Sequence, residues 1–256
     1  MIGQSTEIAW VESQSASFNA RYESAGADAA AETLDELERF RARLDGRFAR
    51  TPGDVTVVFH PRALELALAQ PWLPLARLAT APASRRYLAG WFSAGEIHVL
   101  SPAALERRAS ALPESREALR LAPLHEYAHL VVGANNPRLP PPFTPRSFIR
   151  YLRWAWLCEG AATYLSGQSR FLRPAIARRL REGSPPKLPP PVADAQLLGG
   201  TIFGLLEGTA GRDAATDLMT NLDSRGPAAA LERAFGRPLA EAQGDWRRHL
   251  GRFVAG

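Results

Sequence analysis

Leu121-Ala122-Pro123-Leu124-His125-Glu126-Tyr127-Ala128-His129-Leu130-Val131-Val132-Gly133 is the stretch from which the rest of this chain is read. On a helix, at about 100° per residue, His125 and His129 lie roughly 40° apart. Both imidazoles therefore leave one face, a turn apart, and can reach a single ion. Glu126 lies one step round, beside such an ion and not on it, where a carboxylate can take a proton from water bound there. Leu124, Tyr127, Ala128, Leu130 and Val131 supply an apolar back on which the helix packs. Gly133, followed by Asn135, Asn136 and Pro137, predicts the helix end. Pro123 predicts either its first turn or a kink before His125. The competing reading is two unrelated histidines on an amphipathic helix. Two imidazoles and a carboxylate are costly to bury unpaired, and a metal removes that cost.

The 256 residues are enough to bury a sizeable core, as one domain or as two small lobes around a cleft. Hydrophobic content of 46% and charged content of 22% fall in the range of a soluble globular protein. No apolar run approaches the roughly 20 residues of a membrane span. Met1 to Thr6 lacks the basic and apolar regions of a signal peptide, which predicts a cytoplasmic chain or a secreted one with its leader removed. The single cysteine, Cys158, excludes an internal disulfide. Despite the net charge of +5, Lys187 is the only lysine, and arginines alternate with acids such as Glu36, Glu38 and Asp45. The densest clusters, Arg146/Arg150/Arg153 and Arg178/Arg179/Arg181, have no stacking platform between them and read as solvated faces. No nucleic-acid partner is expected.

Along the chain, Ser17 to Glu23 alternates as a strand, and Ala27 to Phe48 carries Leu34, Leu37, Phe40 and Leu44 at helical spacing. Val55 to His60 is β-branched and reads as the central strand, with His60 passing into a loop at Pro61. Ala63 to Gln70 reads as a short helix, and Pro71 to Ser84 as loop with at most a helical turn. Tyr87 to Phe92 and Glu96 to Leu100 read as strands joined at Ala94-Gly95. Ser101-Pro102 and Pro113-Glu114 each begin a helix. Ser147 to Ser166 reads as one helix and Phe171 to Glu182 as another. Gly183 to Pro191 (G-S-P-P-K-L-P-P-P) reads as a linker dividing a metal-site region, 1–182, from a helical lobe, 192–256. Helices are expected in that lobe near Gln196–Leu206, Asp213–Asn221, Pro227–Phe235 and Leu239–Phe253. Strands confined to the first hundred residues, with helices after them, make the class α+β.

A catalytic zinc site wants three protein ligands and an open position, so two histidines are not enough. His60, His98 and His249 have no fitting spacing. Glu159, in Trp156-Leu157-Cys158-Glu159-Gly160-Ala161-Ala162-Thr163-Tyr164-Leu165, is a charge among apolar neighbours and needs a cation. A salt bridge to Arg153 or Arg170 is the alternative. His125-Glu126-x-x-His129, followed about thirty residues later by Glu159-Gly160-x-Ala162-x-Tyr164, resembles the gluzincin metallopeptidases, in particular their peptidase MA-like branch. The resemblance covers Phe18 onward. It is specific at the two motifs and loose elsewhere, as at Gly200-Thr201-Ile202-Phe203 and Ala234 to Trp246.

The resemblance implies a zincin-like fold and one Zn2+ held by His125, His129 and Glu159, with Glu126 as general base. It also implies a peptide or protein substrate paired along an edge strand at Glu96, Ile97, His98 and Val99. Two positions depart from the family pattern. Thr163 stands where many gluzincins carry an acid that orients a ligand histidine, and with Tyr164 it is the candidate for that supporting role. After Tyr164 the only oxyanion donor of the usual kind is His249, with Arg212 as a substitute. These departures suggest a second reading: a peptidase-like binding or scaffold module that keeps its zinc but turns over poorly or not at all.

Overall fold

The run Val55–His60 forms β3, the middle of a five-stranded sheet in the computed structural model, which describes residues 10–256. The signal-peptide reading of Met1 to Thr6 lies outside the described residues. The strands are β1 (Trp10–Gln14), β2 (Phe18–Glu23), β3, β4 (Gly90–Ser93) and β5 (Glu96–Leu100). Their spatial order is β1-β2-β3-β5-β4. β3 runs parallel to β2 and β5, while the β1–β2 and β4–β5 pairs are antiparallel. β1 was not expected from the sequence; its alternating but mostly exposed residues carry little hydrophobic signal.

That order corrects one expectation about function. β5 pairs on both sides, with β3 and with β4, so it is interior, and the outer strand is β4. A two-residue turn with Gly95 at φ +76° carries the chain from β4 on the outside inward to β5. Ile97 and Val99 have no exposure and belong to the core face, whereas Glu96 and His98 lie on the opposite face.

The helices follow as α1 (Ala27–Asp45), α2 (Ala63–Ala69), α3 (Trp72–Ala79), α4 (Pro82–Arg85), α5 (Pro102–Arg108), α6 (Pro113–Arg120) and α7 (Ala122–Asn135). Then come α8 (Pro145–Arg153), α9 (Ala155–Leu165), α10 (Arg173–Glu182), α11 (Ala195–Ala210), α12 (Arg212–Thr220), α13 (Pro227–Phe235) and α14 (Leu239–Ala255). The class is α+β, with helices alone after Leu100. The proline-punctuated 71–84 stretch is mostly helical, because Pro71 and Pro82 stand at helix starts, where a missing N–H costs nothing. α1 stops at Asp45, short of Phe48, and Phe48 is still buried. The expected 147–166 helix is two helices broken at Trp154, whose φ −109° and ψ 19° leave the helical basin.

α7 lies across β4 and β5, with α1 beside it over β2. Pro123 takes the first turn of α7, and the helix passes through Gly133 to Asn135. Gly133 serves instead to admit the chain at Pro140, whose carbonyl lies 2.5 Å from where a Cβ would stand. Every residue from Ala122 to Val132 is buried, so the helix is enclosed on all sides and has no solvent stripe. α11 packs along α9 at a crossing of Gly160 and Gly199, where a side chain on either would strike the other's backbone. The 183–191 segment is pinned to the helices after it: the Leu188 N–H donates to Gln243 at 2.9 Å, and Arg247 donates to the Pro186 carbonyl at 2.9 Å. Among the described residues no helix is long and apolar enough to cross a membrane.

Candidate metal centre

α7 and α9 pack against each other and bring three groups to one point. His125 Nε2 and His129 Nε2 are 3.1 Å apart. Glu159 reaches them from α9, with Oε2 3.3 Å from His125 Nε2 and Oε1 3.4 Å from His129 Nε2. All three ligand atoms lie within 4.8 Å of one another. Zinc bonds of about 2.0–2.1 Å at tetrahedral angles put donor atoms roughly 3.3 Å apart, so the spacing is that of a ligand set. Two buried atoms of these three side chains lack hydrogen-bond partners among the described residues: His125 Nδ1 and Glu159 Oε2. An unpartnered carboxylate oxygen between two imidazoles fits a divalent cation better than it fits an internal hydrogen-bond network. The arginines of the alternative reading lie elsewhere, Arg153 beside Gly226 and Arg170 over the Phe171 ring.

The electrostatics follow from burial. His125, Glu126, His129 and Glu159 are 4–6% exposed. Desolvation pulls the Glu159 pKa upward, but the imidazoles, His129 first, outweigh it and hold the carboxylate well below its ordinary range. Burial lowers the His129 pKa, and the charge of Glu159 opposes that shift. Glu126 is pushed well above the usual carboxylate range, first by desolvation and then by the charge on Glu159. Its carboxylate occupies the space beside Gly90 of β4, where a Cβ would meet Glu126 Cγ and Oε1 at 2.7 Å. The outer strand therefore passes directly over the candidate base.

The supporting groups differ from those expected. Thr163 is buried, and its hydroxyl has no partner. Tyr164 packs beside Phe203 and under Arg47, away from the cluster. His249 packs at Phe253, and Arg212 pairs with Glu207. Tyr151 of α8 enters the site instead and donates its hydroxyl to Glu159 Oε1. Burial, and then Glu159, drive the Tyr151 pKa well above its ordinary value, so it stays a protonated donor. Reading 147–166 as one helix hid this residue, since eight helical residues span about 12 Å. Thr144-Pro145 is a helix-start signal that places the beginning of α8, but nothing in the sequence marks the break at Trp154.

Aromatic rings close the site. Phe92 of β4 stacks on His129 with centroids 4.3 Å apart and planes 14° apart. Phe143, from the loop between α7 and α8, packs at 5.0 Å from Trp91 and 5.1 Å from Phe92, and Trp72 lies 4.9 Å from Phe148. The residues expected on a substrate edge form a different arrangement. His60, expected in a loop, is the last residue of β3 and is buried. His60 Nε2 and His98 Nδ1 are 3.0 Å apart, and His98 Nε2 lies 3.3 Å from Glu96 Oε2. Desolvation, with His98 adding to it, lowers the His60 pKa to about 4. Cys158 is a buried free thiol in packing contact. The chain matches no protein-family model, no curated protein and no solved structure.

Proposed function

We propose that the protein is a zinc-dependent peptidase that hydrolyses peptide bonds with Glu126 as general base. The observation that carries this reading is the convergence of His125, His129 and Glu159 at the spacing of a tetrahedral ligand set, beside a second buried carboxylate outside that set. A site built only to hold a metal has no use for that second carboxylate. The donor order along the chain also resembles that of the gluzincins. When bound, zinc supplies a Lewis acid that lowers the pKa of a water to about 7 and polarises a carbonyl.

The chain's own part is proton handling and orientation. Glu126, held by α7 and roofed by β4, takes a proton from the attacking water and delivers it to the leaving amine. A peptide would pair with the outer strand β4, which has one unpaired edge, in place of β5. Glu126→Gln tests the reading. We expect zinc to be retained and hydrolysis of a peptide library to be lost, and unchanged cleavage would refute the assignment.

One observation favours the second reading, a peptidase-like binding or scaffold module that retains zinc. The cluster lies closed under aromatic rings, with His125, His129 and Glu159 all buried and Phe92 stacked on His129. A native chain that holds stoichiometric zinc but cleaves nothing in the same library would establish it.

A further inference from the structure

The geometry points to Tyr151 as the positioning residue of the metal centre: by occupying Glu159 Oε1 it reserves Oε2 for the cation, and it ties that ligand to the aromatic cap. This inference rests on the metal reading of the site. A carboxylate has two oxygens, and a third ligand that alternates between them does not hold a defined coordination geometry. Here the two are made unequal. Each oxygen stands near one imidazole, Oε1 3.4 Å from His129 Nε2 and Oε2 3.3 Å from His125 Nε2, but Oε1 also accepts the tyrosine hydroxyl, while among the described residues Oε2 has no hydrogen-bond partner. A neutral donor serves this purpose better than a cationic one, because an arginine in its place would compete with the metal for the carboxylate's charge.

The contact is a product of the helix break. In a continuous helix, positions 151 and 159 would stand about 12 Å apart along the axis. The turn at Trp154 folds α8 back so that the hydroxyl meets the carboxylate. The ring is part of the closing cap, 5.6 Å from Trp91 and 5.8 Å from Phe143, centroid to centroid. A movement of α8 that opened the cap would therefore withdraw the hydroxyl from Glu159, so closure and ligand geometry are coupled through one side chain. Among the described residues, no other side chain is bonded to Glu159 from outside the ligand set.

The experiment compares the native chain, Tyr151→Phe and Tyr127→Phe. Tyr127 is a second buried tyrosine on the motif helix, whose hydroxyl donates to the Pro52 carbonyl at 2.7 Å and not to the site. Zinc affinity is measured by competition with a chromophoric chelator, and the ligand field by the visible absorption of the cobalt(II)-loaded chains. Both substitutions keep the ring and its packing. Tyr151→Phe is expected to weaken zinc binding about tenfold and to change the cobalt bands. Tyr127→Phe is expected to leave both as in the native chain. Native affinity and native cobalt bands in Tyr151→Phe would overturn the inference and leave the metal reading standing, as would an equal loss in Tyr127→Phe. If the native chain takes up neither zinc nor cobalt, the metal reading falls and this inference falls with it.

Discussion

Gly90→Ala adds one methyl group to the outer strand, and its consequence can be worked from distances. The new Cβ would lie 2.7 Å from Glu126 Cγ and Oε1, and 2.9 Å from Cδ. Carbon atoms rest at about 3.5–4.0 Å, so one partner must give by about 1 Å. Gly90 sits in a strand paired to β5, whereas Glu126 ends in rotatable bonds, so the carboxylate is what moves. A displacement of about 1 Å at a reacting group costs on the order of a hundredfold in rate. The substitution touches none of His125, His129 or Glu159, so zinc affinity is expected to hold. A net stability loss of about 0–2.5 kcal/mol is expected, because relief of glycine's backbone entropy contributes about 0.5–1 kcal/mol against a crowding cost of about 1–3 kcal/mol. The assay is kcat/KM on a cleaved peptide beside zinc titration and thermal unfolding. Native kcat/KM with native zinc affinity would refute the placement of Glu126 under β4, and so would loss of zinc.

Three further outcomes follow from other parts of the structure. Glu159→Ala is expected to lose stoichiometric zinc and, with it, the rise in Tm that a ligand bound only to the folded state produces; metal analysis and melting curves with and without zinc check this. Gly199→Ala would place a Cβ 2.4 Å from the Trp156 carbonyl and 2.7 Å from the Gly160 Cα. Backbone cannot swing aside, so a loss of about 3 kcal/mol is expected, read as a Tm drop of about 10 °C, with weaker zinc binding because Glu159 adjoins the crossing. His60 has a folded-state pKa near 4 against about 6.5 when unfolded. The unfolded chain therefore binds the extra proton between those values, and stability falls as pH drops through that window, by about 3 kcal/mol in full. Urea unfolding at pH 7 and pH 4.5 should show this loss shrinking in His60→Asn.

The candidate site was partly legible in the sequence because its histidines are set by local geometry. His125, Glu126 and His129 share one helix, and four residues make one turn whatever surrounds it. Glu159 was singled out in part as a carboxylate in an otherwise apolar helix, and more by the resemblance to the gluzincins. Tyr151, Gly90 and Phe92 were not, because each acts on a group that is distant in sequence. Tyr151 depends on a one-residue break at Trp154, and Gly90 on which strand of a hairpin lies outermost.

By itself, then, the sequence determined the α+β class, the middle position of Val55–His60 and the one-face arrangement of the two histidines, since periodicity and β-branching act within an element. Only the tertiary structure decided that β4 and not Glu96–Leu100 is the edge, that His60 pairs with His98 inside the sheet, and that Tyr151 reaches Glu159 while the Thr163 hydroxyl is bonded to none of the described residues. Strand order and helix breaks are chosen by the total burial that the whole chain achieves, and no single segment carries that sum.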